Sequence, residues 1–547
     1  MVTSSDGTVH ETPVTIFTAA TVHAQADGPV QAFAAGGERI TATGSLAALR
    51  ERYPCAPVHD FGTATIVPGF NDAHMHIGMT AEDLLHLDLS HAAVGTVDKL
   101  LDRVREGARD IAPDEWLRGA RYDDAKTGTL TRRELDAAAG DVPTVVTHVA
   151  GHWGVANSAA LAAFGYHDGG TPPEGGDFGR DEDGRLDGKL IERALMDVLY
   201  PATSKADSPL RPSSQDQRMV GLRRAVRMFH AAGLTSICDA LTSPDDIALL
   251  RRARDAGELT LRTDMLVGVD HYHKVRDLGV GSGFGDDMMR LIGVKSFVDG
   301  AIGGRTCLLS EPFHHSDYGR DYHGIQITAT EALRETIAQV HADGNRMAVH
   351  ANGDTAIKIL LDIYEELARE APRPGLRHRI EHCTVIDDEI LRRMRALDAI
   401  AVPFAGYTAY HGGALESWYG PERVERMFAH RSFLDSGITV AGSSDYPCGP
   451  FEPLLGLQGM VTRRGMDDGA VVGEKQRIDP AEALRIYTLG SAEACGDEHR
   501  KGRLAPGYLA DFVVLDQDPL AIDPLGIASI PVARTYVGGT EVWSARS

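Results

Sequence analysis

Eight short apolar runs, each ending on polar residues and separated by stretches of helical periodicity, limit the fold of this chain more than any other feature. They lie at 65–70, 234–237, 262–267, 291–297, 346–350, 378–382, 400–402 and 438–441. Segments such as 330–341 and 356–369 supply the intervening helical pattern. A repeated strand and helix unit places its strands parallel, with the helices covering them. Eight units predict an α/β fold, a (β/α)8 TIM barrel, whose chemistry sits at the carboxyl ends of the strands.

The pattern changes at both termini. Residues 14–17, 31–34 and 38–42 near the start, and 510–515 and 532–537 near the end, read as short strands, and Gly538-Gly539 before Thr540 reads as a hairpin turn. The two ends are expected to meet in one small β-sandwich domain made of residues 1–66 and 497–547, beside a barrel domain of residues 67–496. Residues 129–212 break the alternation, with long turns at 169–176 and 181–184. This stretch reads as an insertion that caps the site. The acidic run at Asp181 lacks the spacing of a calcium loop and reads as a solvated turn.

Charge and cysteine usage exclude several classes. In 547 residues, 55 Lys and Arg against 78 Asp and Glu give a net charge of −23, which argues against a nucleic-acid or anionic-membrane partner. A hydrophobic fraction of 43% in a chain of this length supports a large core rather than disorder. The six cysteines lie far apart without a C-x-x-C pair, as in a reducing compartment. Residues 1–15 carry Asp6 and Glu11 but no Lys, Arg or apolar run, and no segment approaches the roughly 18 apolar residues of a membrane span. The expectation is a cytoplasmic protein acting on a small molecule.

The first run leads into Pro68-Gly-Phe-Asn-Asp-Ala-His74-Met-His76. Residues two apart in extended backbone share a face, so His74 and His76 offer two imidazoles to one metal ion. His271 and His273 repeat the spacing without the apolar strand and Pro-Gly turn, and read as loop histidines. Later run ends bring Lys295, His350, His382 and Asp445. Each has an ordinary structural use by itself, but one donor per strand end around a barrel makes a metal site.

Lys295 is unusual because the chain has nine Lys against 46 Arg. A lysine inside an apolar strand, in a protein that otherwise uses arginine, points to a need for a deprotonatable amine. Reaction with CO2 would turn it into an anionic carbamate bridging two metals. The alternative is an ion pair with Glu381 or Asp299 beside a single metal. Arg305 meets either an anionic substrate group or a neighbouring carboxylate, and Tyr407, Tyr410, Trp418 and Tyr419 either line the pocket or pack a loop.

These motifs resemble the amidohydrolase superfamily and, within it, the amidohydrolase family 3 branch that includes N-substituted formamide deformylases. The similar segments are 68–76, Gly151-His152 with Asn157-Ser158, 294–300 with Arg305-Thr306, 349–354, 379–382, 442–445 and 502–516. The resemblance implies that His74 and His76 hold one metal and His350 and His382 a second. Lys295, as a carbamate, would bridge them, and Asp445 would bind metal and shuttle protons. It places His152 and Trp153 near the substrate and implies a homodimer. Imidazole, carboxylate and carbamate ligands suit two Zn2+ per chain, although Mn, Fe, Co or Ni also take such a set.

The implied reaction is hydrolysis of a C–N bond in an amide or N-substituted formamide by metal-activated water, with Asp445 as general acid and base. Cyclic-amide, ester or deaminase chemistry would use the same site. A metal-binding pseudoenzyme is the non-catalytic alternative, disfavoured by retention of all six ligand candidates. Asn352, and Ser443-Ser444 before Asp445, depart from the commoner pattern of this branch and bear on pocket shape.

Overall fold

The computed structural model describes residues 13–25, 30–112, 115–200, 208–211, 213–316 and 319–545. The reading of residues 1–15 therefore falls almost wholly outside the described residues, as do 201–207 and 212 of the expected insertion.

Seven parallel strands form the central sheet: Phe70–Met75, Leu234–Thr242, Arg262–Gly268, Met289–Phe297, Met347–Ala351, Arg379–His382 and Ile400–Val402. Nearly every residue in them is buried, as expected where helices cover one face and the strands enclose a core on the other. The eighth run, 438–441, is not a regular strand. It makes a single parallel bridge, Ala401 to Val440, and just beyond it Ser443 makes another to Phe404. On its other side Gly442 O accepts from Ala73 N, and Tyr446 O accepts from His76 N at 2.8 Å. The segment thus bonds to both the last and the first strand and nearly closes the ring.

The first run also differs from expectation. Thr65–Pro68 pairs antiparallel with Phe512–Leu515 in a terminal sheet, and the barrel strand begins only at Phe70. Between them, Gly69 lies so close to the second strand that a Cβ would fall 2.1 Å from Thr235 Oγ1. Glycine lets the chain pass from one sheet to the other at this contact.

The helices carry local start signals. Pro244–Asp255 begins with Ser243 as N-cap, Pro244 in its first turn and a reciprocal Ser243–Asp246 capping box. Asp354–Glu370 turns Ile357, Leu360, Leu361 and Tyr364 inward at helical spacing, with Asp354 at its positive end and Arg369 at its negative end.

Both termini contribute to two further sheets. One contains Val14–Thr18, Ala32–Gly36, Arg39–Gly44 and Val58–Asp60; the other contains Thr21–Val22, Thr65–Pro68, Phe512–Leu515, Val532–Val537 and Thr540–Ser544. Phe17 and Phe33 from the first pack with Phe512 and Tyr536 from the second, the last two stacked at 4.4 Å. The hairpin turn Gly538-Gly539 has positive φ at both residues, as a two-residue turn of the mirror-image type requires.

A separate six-stranded sheet occupies the stretch between the first and second barrel strands. Its order is Gly176–Arg180, Leu186–Glu192, Trp153–Ala156, Thr144–His148, Leu117–Tyr122 and Leu87–Asp88. The expected insertion at 129–212 supplies four of these strands, and the sheet also takes in residues from Leu87 onward. Asp181–Asp183 is an exposed turn.

Candidate metal centre

His74 is held from behind by a buried charged pair. Its Nδ1–H donates to Glu381 Oε2, since a carboxylate can only accept. Arg379 grips Glu381 with two hydrogen bonds of 2.7 Å and extends one more, of 2.8 Å, to Ala73 O. All three side chains are 0% exposed. Burial would raise the Glu381 carboxyl, but Arg379 and His74 outweigh it and hold it well below the usual carboxylate range. The His74 tautomer is thereby set, with Nε2 left for the cavity.

Asp445 Oδ1 lies 3.2 Å from His76 Nε2 and 3.3 Å from His74 Nε2. One ligand atom from each of these residues falls within 4.8 Å of the others, a spacing that one metal ion can satisfy. Burial lowers His76 to about 4 and pushes His350 and His382 well below the ordinary imidazole value, so the rings are neutral, the form that binds metal. Burial would raise Asp445, but His382, His74 and His76 keep it well below its ordinary value. His382, Cys383 and Asp445 all have positive φ, between 42° and 69°. Such left-handed backbone in residues with side chains clusters at functional sites.

Lys295 projects from the fourth barrel strand into the same space. Its Nζ lies 3.4 Å from His74 Nε2 and 4.7 Å from the centre of the Phe297 ring. Burial lowers its amine to about 8. Among the described residues it forms no ion pair, whereas Lys501, also buried, has Asp264 and Asp497 at 2.8 and 2.6 Å. The expected alternative partners are engaged elsewhere: Glu381 with Arg379, and Asp299 with the backbone N–H groups of Leu308, Asn352 and Gly353.

His350 Nε2 lies 3.0 Å from Gly300 O, and Asn352 Nδ2 donates to the same carbonyl at 3.0 Å. The Asn352 Oδ1 accepts the Thr384 hydroxyl at 2.6 Å. Asn352, a departure from the commoner pattern, thus helps set the His350 ring. The His382 ring stacks on Phe404 at 4.2 Å and lies 4.5 Å from His350. Among the described residues, the buried Nδ1 atoms of His76 and His382 find no hydrogen-bond partner. Orphaned imidazole nitrogens beside a carboxylate and an unpaired lysine fit a divalent-metal site better than a closed hydrogen-bond network.

The six expected ligands and His152 line one cavity of about 30 Å3. That is room for about two water-sized occupants. Met79, Tyr200 and Leu241 stand between it and a neighbouring cavity of about 50 Å3 that also touches Asp83 and Arg118. Trp153 and Arg305, also expected near the substrate, stand outside this lining. Trp153 stacks on His148 at 4.0 Å, because successive strand residues face opposite ways. Arg305 donates to Asp124 at 3.0 Å, the carboxylate alternative. Tyr407, Trp418 and Tyr419 belong to a packed cluster, and the Tyr410 hydroxyl donates to Asp123.

Three contributors escaped the sequence reading. Arg379 stands inside the motif 379–382, where three ionisable residues within four buried positions are a usable signal. Asp72 accepts the His74 N–H at 3.0 Å and the Ser444 N–H at 3.1 Å, tying together the turns that carry two ligands. Glu192 approaches His152 across the inserted sheet and has no local sequence signature.

A sequence model described as the amidohydrolase family matches residues 58–543. YtcJ of Bacillus subtilis (strain 168) is 31% identical over 525 residues, covering 92% of this chain and 94% of its own. The N-substituted formamide deformylase of Arthrobacter pascens is 30% identical over 528 residues, covering 93% and 94%. An uncharacterized metal-dependent hydrolase from Pyrococcus horikoshii OT3 shares the fold, with a TM-score of 0.74 at 22% identity over 93% of this chain and 99% of that chain.

Proposed function

The chain belongs to the amidohydrolase family, and from that membership we propose that it is a metal-dependent hydrolase cleaving the C–N bond of an amide or N-substituted formamide. The observation that carries this reading is the convergence of His74, His76, Lys295, His350, His382 and Asp445 on one buried cavity. The neighbouring cavity beyond Met79, Tyr200 and Leu241 offers room for the rest of the substrate. The similarity to an N-substituted formamide deformylase points the same way.

In this reading His74 and His76 would hold one divalent ion and His350 and His382 a second, and Lys295 would serve as a further oxygen donor once its neutral amine adds to CO2 and loses a proton to give a carbamate. Zn2+ suits the donor set. When bound, the metal supplies Lewis-acid activation of water and of the carbonyl group. Asp445 takes the proton of the attacking water and returns it to the leaving nitrogen, so that amide and water become acid and amine. Glu381 and Arg379 keep His74 oriented. Met79, Tyr200 and Leu241 restrict solvent entry. The two terminal sheets act as one composite β-sandwich domain of residues 1–66 and 497–547, and the inserted segment covers the barrel mouth.

The test is metal content per chain by elemental mass analysis of protein purified without chelator, together with Lys295→Ala and a panel of N-substituted formamides, linear and cyclic amides and esters. The expected result is about two equivalents in the wild type, one or fewer in the variant, and turnover of the formamide or amide substrates. One equivalent unaffected by Lys295→Ala would replace the bridged pair with a mononuclear site. Absence of metal after reconstitution would overturn the catalytic reading.

A further inference from the structure

The helix Ile77–Asp83 starts at the metal cavity, with His76 as its N-cap, and runs on along the neighbouring cavity. Residues three, four and seven apart share a helix face, so Met79 and Asp83 follow His76 down one side. Met79 stands at the neck between the two cavities and Asp83 lines the outer one. At a rise of about 1.5 Å per residue, Asp83 lies about 10 Å along the axis from His76. One helix face thus presents a candidate metal ligand, an apolar side chain and a carboxylate in turn.

Three carboxylates, Glu82, Asp83 and Asp246, and two guanidiniums, Arg118 and Arg218, line the outer cavity, which leaves one negative charge in excess. Both guanidiniums are committed. Arg118 pairs with Glu82 at 2.5 Å, and Arg218 pairs with Asp246 and, at 3.5 Å, with Glu82. Glu82 also accepts the N–H and hydroxyl of Ser213, and Asp246 those of Ser243. His86, beside Glu82, is lowered by burial and stays neutral, and Arg121 pairs with Asp88 at 2.7 Å. Asp83 is left over: among the described residues its carboxylate makes no hydrogen bond or ion pair. Burial pushes its carboxyl up to about 7, although Arg118 and Arg121 pull the other way. An uncompensated carboxylate in a cavity is costly, and a cation entering beside it removes that cost. An anion would meet the excess negative charge with no free guanidinium to receive it.

We propose that the outer cavity is a substrate subsite for an ammonium group, and that Asp83 is the specificity-determining residue that pairs with it. The inference rests on the hydrolase reading and names its substrate class: an N-substituted formamide or amide whose nitrogen substituent ends in a primary amine. In a formamide the acyl carbon carries only hydrogen, so any extension away from the metal cavity is on the nitrogen side. The carbonyl group then sits among the candidate ligands, the alkyl chain passes Met79, Tyr200 and Leu241, and the ammonium meets Asp83. Met79 and Leu241 give the chain apolar walls, and the Tyr200 hydroxyl is turned to Gly151 O at 3.0 Å. A contact this far from the reacting bond is made equally before and in the transition state, so it acts on KM rather than on kcat.

The experiment compares two formamides of equal length, mono-N-formylhexanediamine with an ammonium end and N-formylheptylamine with a methyl in its place. They are assayed on the zinc-loaded wild type, Asp83→Asn and Asp83→Glu at about pH 8, where the Asp83 carboxylate is ionised. The wild type should favour the ammonium compound on the order of 10- to 100-fold in kcat/KM, the worth of one hydrogen bond to a charged group, with the difference in KM. Asp83→Asn should abolish that ratio. Asp83→Glu should keep it and shift it toward the diamine one carbon shorter, because its side chain is one methylene longer. Metal content per chain and the urea midpoint verify that both variants are folded. Calorimetry of hexylamine against hexanol, on protein as purified, reads the subsite without turnover. Hexylamine should bind more tightly by a comparable factor and lose that advantage in Asp83→Asn.

Equal kcat/KM for the two formamides in the wild type, or a preference that survives Asp83→Asn, would overturn the proposal. The subsite and the hydrolase reading fail separately. Turnover of both formamides without preference, with hexylamine and hexanol bound equally, would leave the C–N hydrolase standing and remove the ammonium subsite. Asp83-dependent binding of hexylamine with no turnover of either formamide would sustain the subsite and overturn the formamide reading. Neither turnover nor Asp83-dependent binding would overturn both.

Discussion

The backbone N–H of Asp445 donates to the carbonyl oxygen of His74 at 2.8 Å, and the side chain of the same aspartate lies 3.3 Å from His74 Nε2. Near-closure of the barrel and convergence of the ligands are therefore one structural event. Asp72 strengthens the junction by accepting backbone N–H groups from both His74 and Ser444. A distortion where the eighth run meets the first strand should register at the metal centre before it registers in the rest of the sheet.

Asp445→Asn keeps the size of the side chain and one oxygen but removes the carboxylate that the proposed mechanism uses as proton acceptor. General acid–base catalysis is typically worth about 100- to 10,000-fold, and a loss of that size in kcat is expected while bound metal persists. Elemental analysis and steady-state kinetics on the same preparation check both halves. Unchanged turnover would take the proton-shuttle role away from Asp445.

Glu381→Ala should be costly in two ways. It leaves Arg379 as an uncompensated buried cation, a loss of about 3–5 kcal/mol, and it frees the His74 ring, which should weaken metal binding about 10- to 100-fold. Glu381→Gln should recover part of the stability, because its amide oxygen still accepts from His74 or Arg379. Chemical denaturation and competition with a metal chelator measure the two effects separately. Full stability in the alanine variant would show that Arg379 finds another acceptor.

The candidate ligands could be picked out because His350 and His382 end apolar runs, Lys295 lies within one and Asp445 follows one, and in a barrel the carboxyl ends of the strands face one opening. Their support could not. His152 and Glu192 meet only through cross-strand pairing, and Glu381 reaches His74 from the sixth barrel strand, contacts without local periodicity. The run at 65–70 looked like a single strand because residue type does not reveal that its backbone changes hydrogen-bonding partners at Pro68-Gly69. Residues 438–441 have the composition of a strand but make only isolated bridges before the turn at Asp445, whose φ is +56°. The terminal strands and their Gly538-Gly539 turn were readable because a two-residue hairpin is specified locally.

The buried amine of Lys295 should make the metal-free protein sensitive to alkaline pH in an unusual direction. Held near 8 in the folded protein against an ordinary 10.5, it binds a proton less readily than in the unfolded chain. Between those values the unfolded state carries more protons, so this group's contribution to stability rises as pH rises from about 8 to 10.5. The full effect is on the order of 3 kcal/mol. Lys295→Met should be more stable than wild type at pH 7, and that advantage should disappear by the alkaline end of the window. Urea denaturation of chelated protein in CO2-free buffer across this range tests it, and a variant less stable than wild type at pH 7 would show that the ammonium is compensated.

The helix that follows His76, Ile77–Asp83, packs against Gln215–Ala231 with Gly221 at the contact. A Cβ at Gly221 would stand 1.8 Å from Ala81 O, a backbone atom that cannot swing aside as a side-chain tip can. Gly221→Ala gains helix propensity, worth about 1 kcal/mol, yet overpacking costs about 1–3 kcal/mol and here must separate two helices. The expected net result is destabilisation. Because Met79 lies on the displaced helix between the two cavities, and His76 immediately precedes it, metal affinity should fall as well. Denaturation and chelator competition on the same variant test the coupling: lower stability with unchanged metal affinity would show that the helix can shift without moving His76.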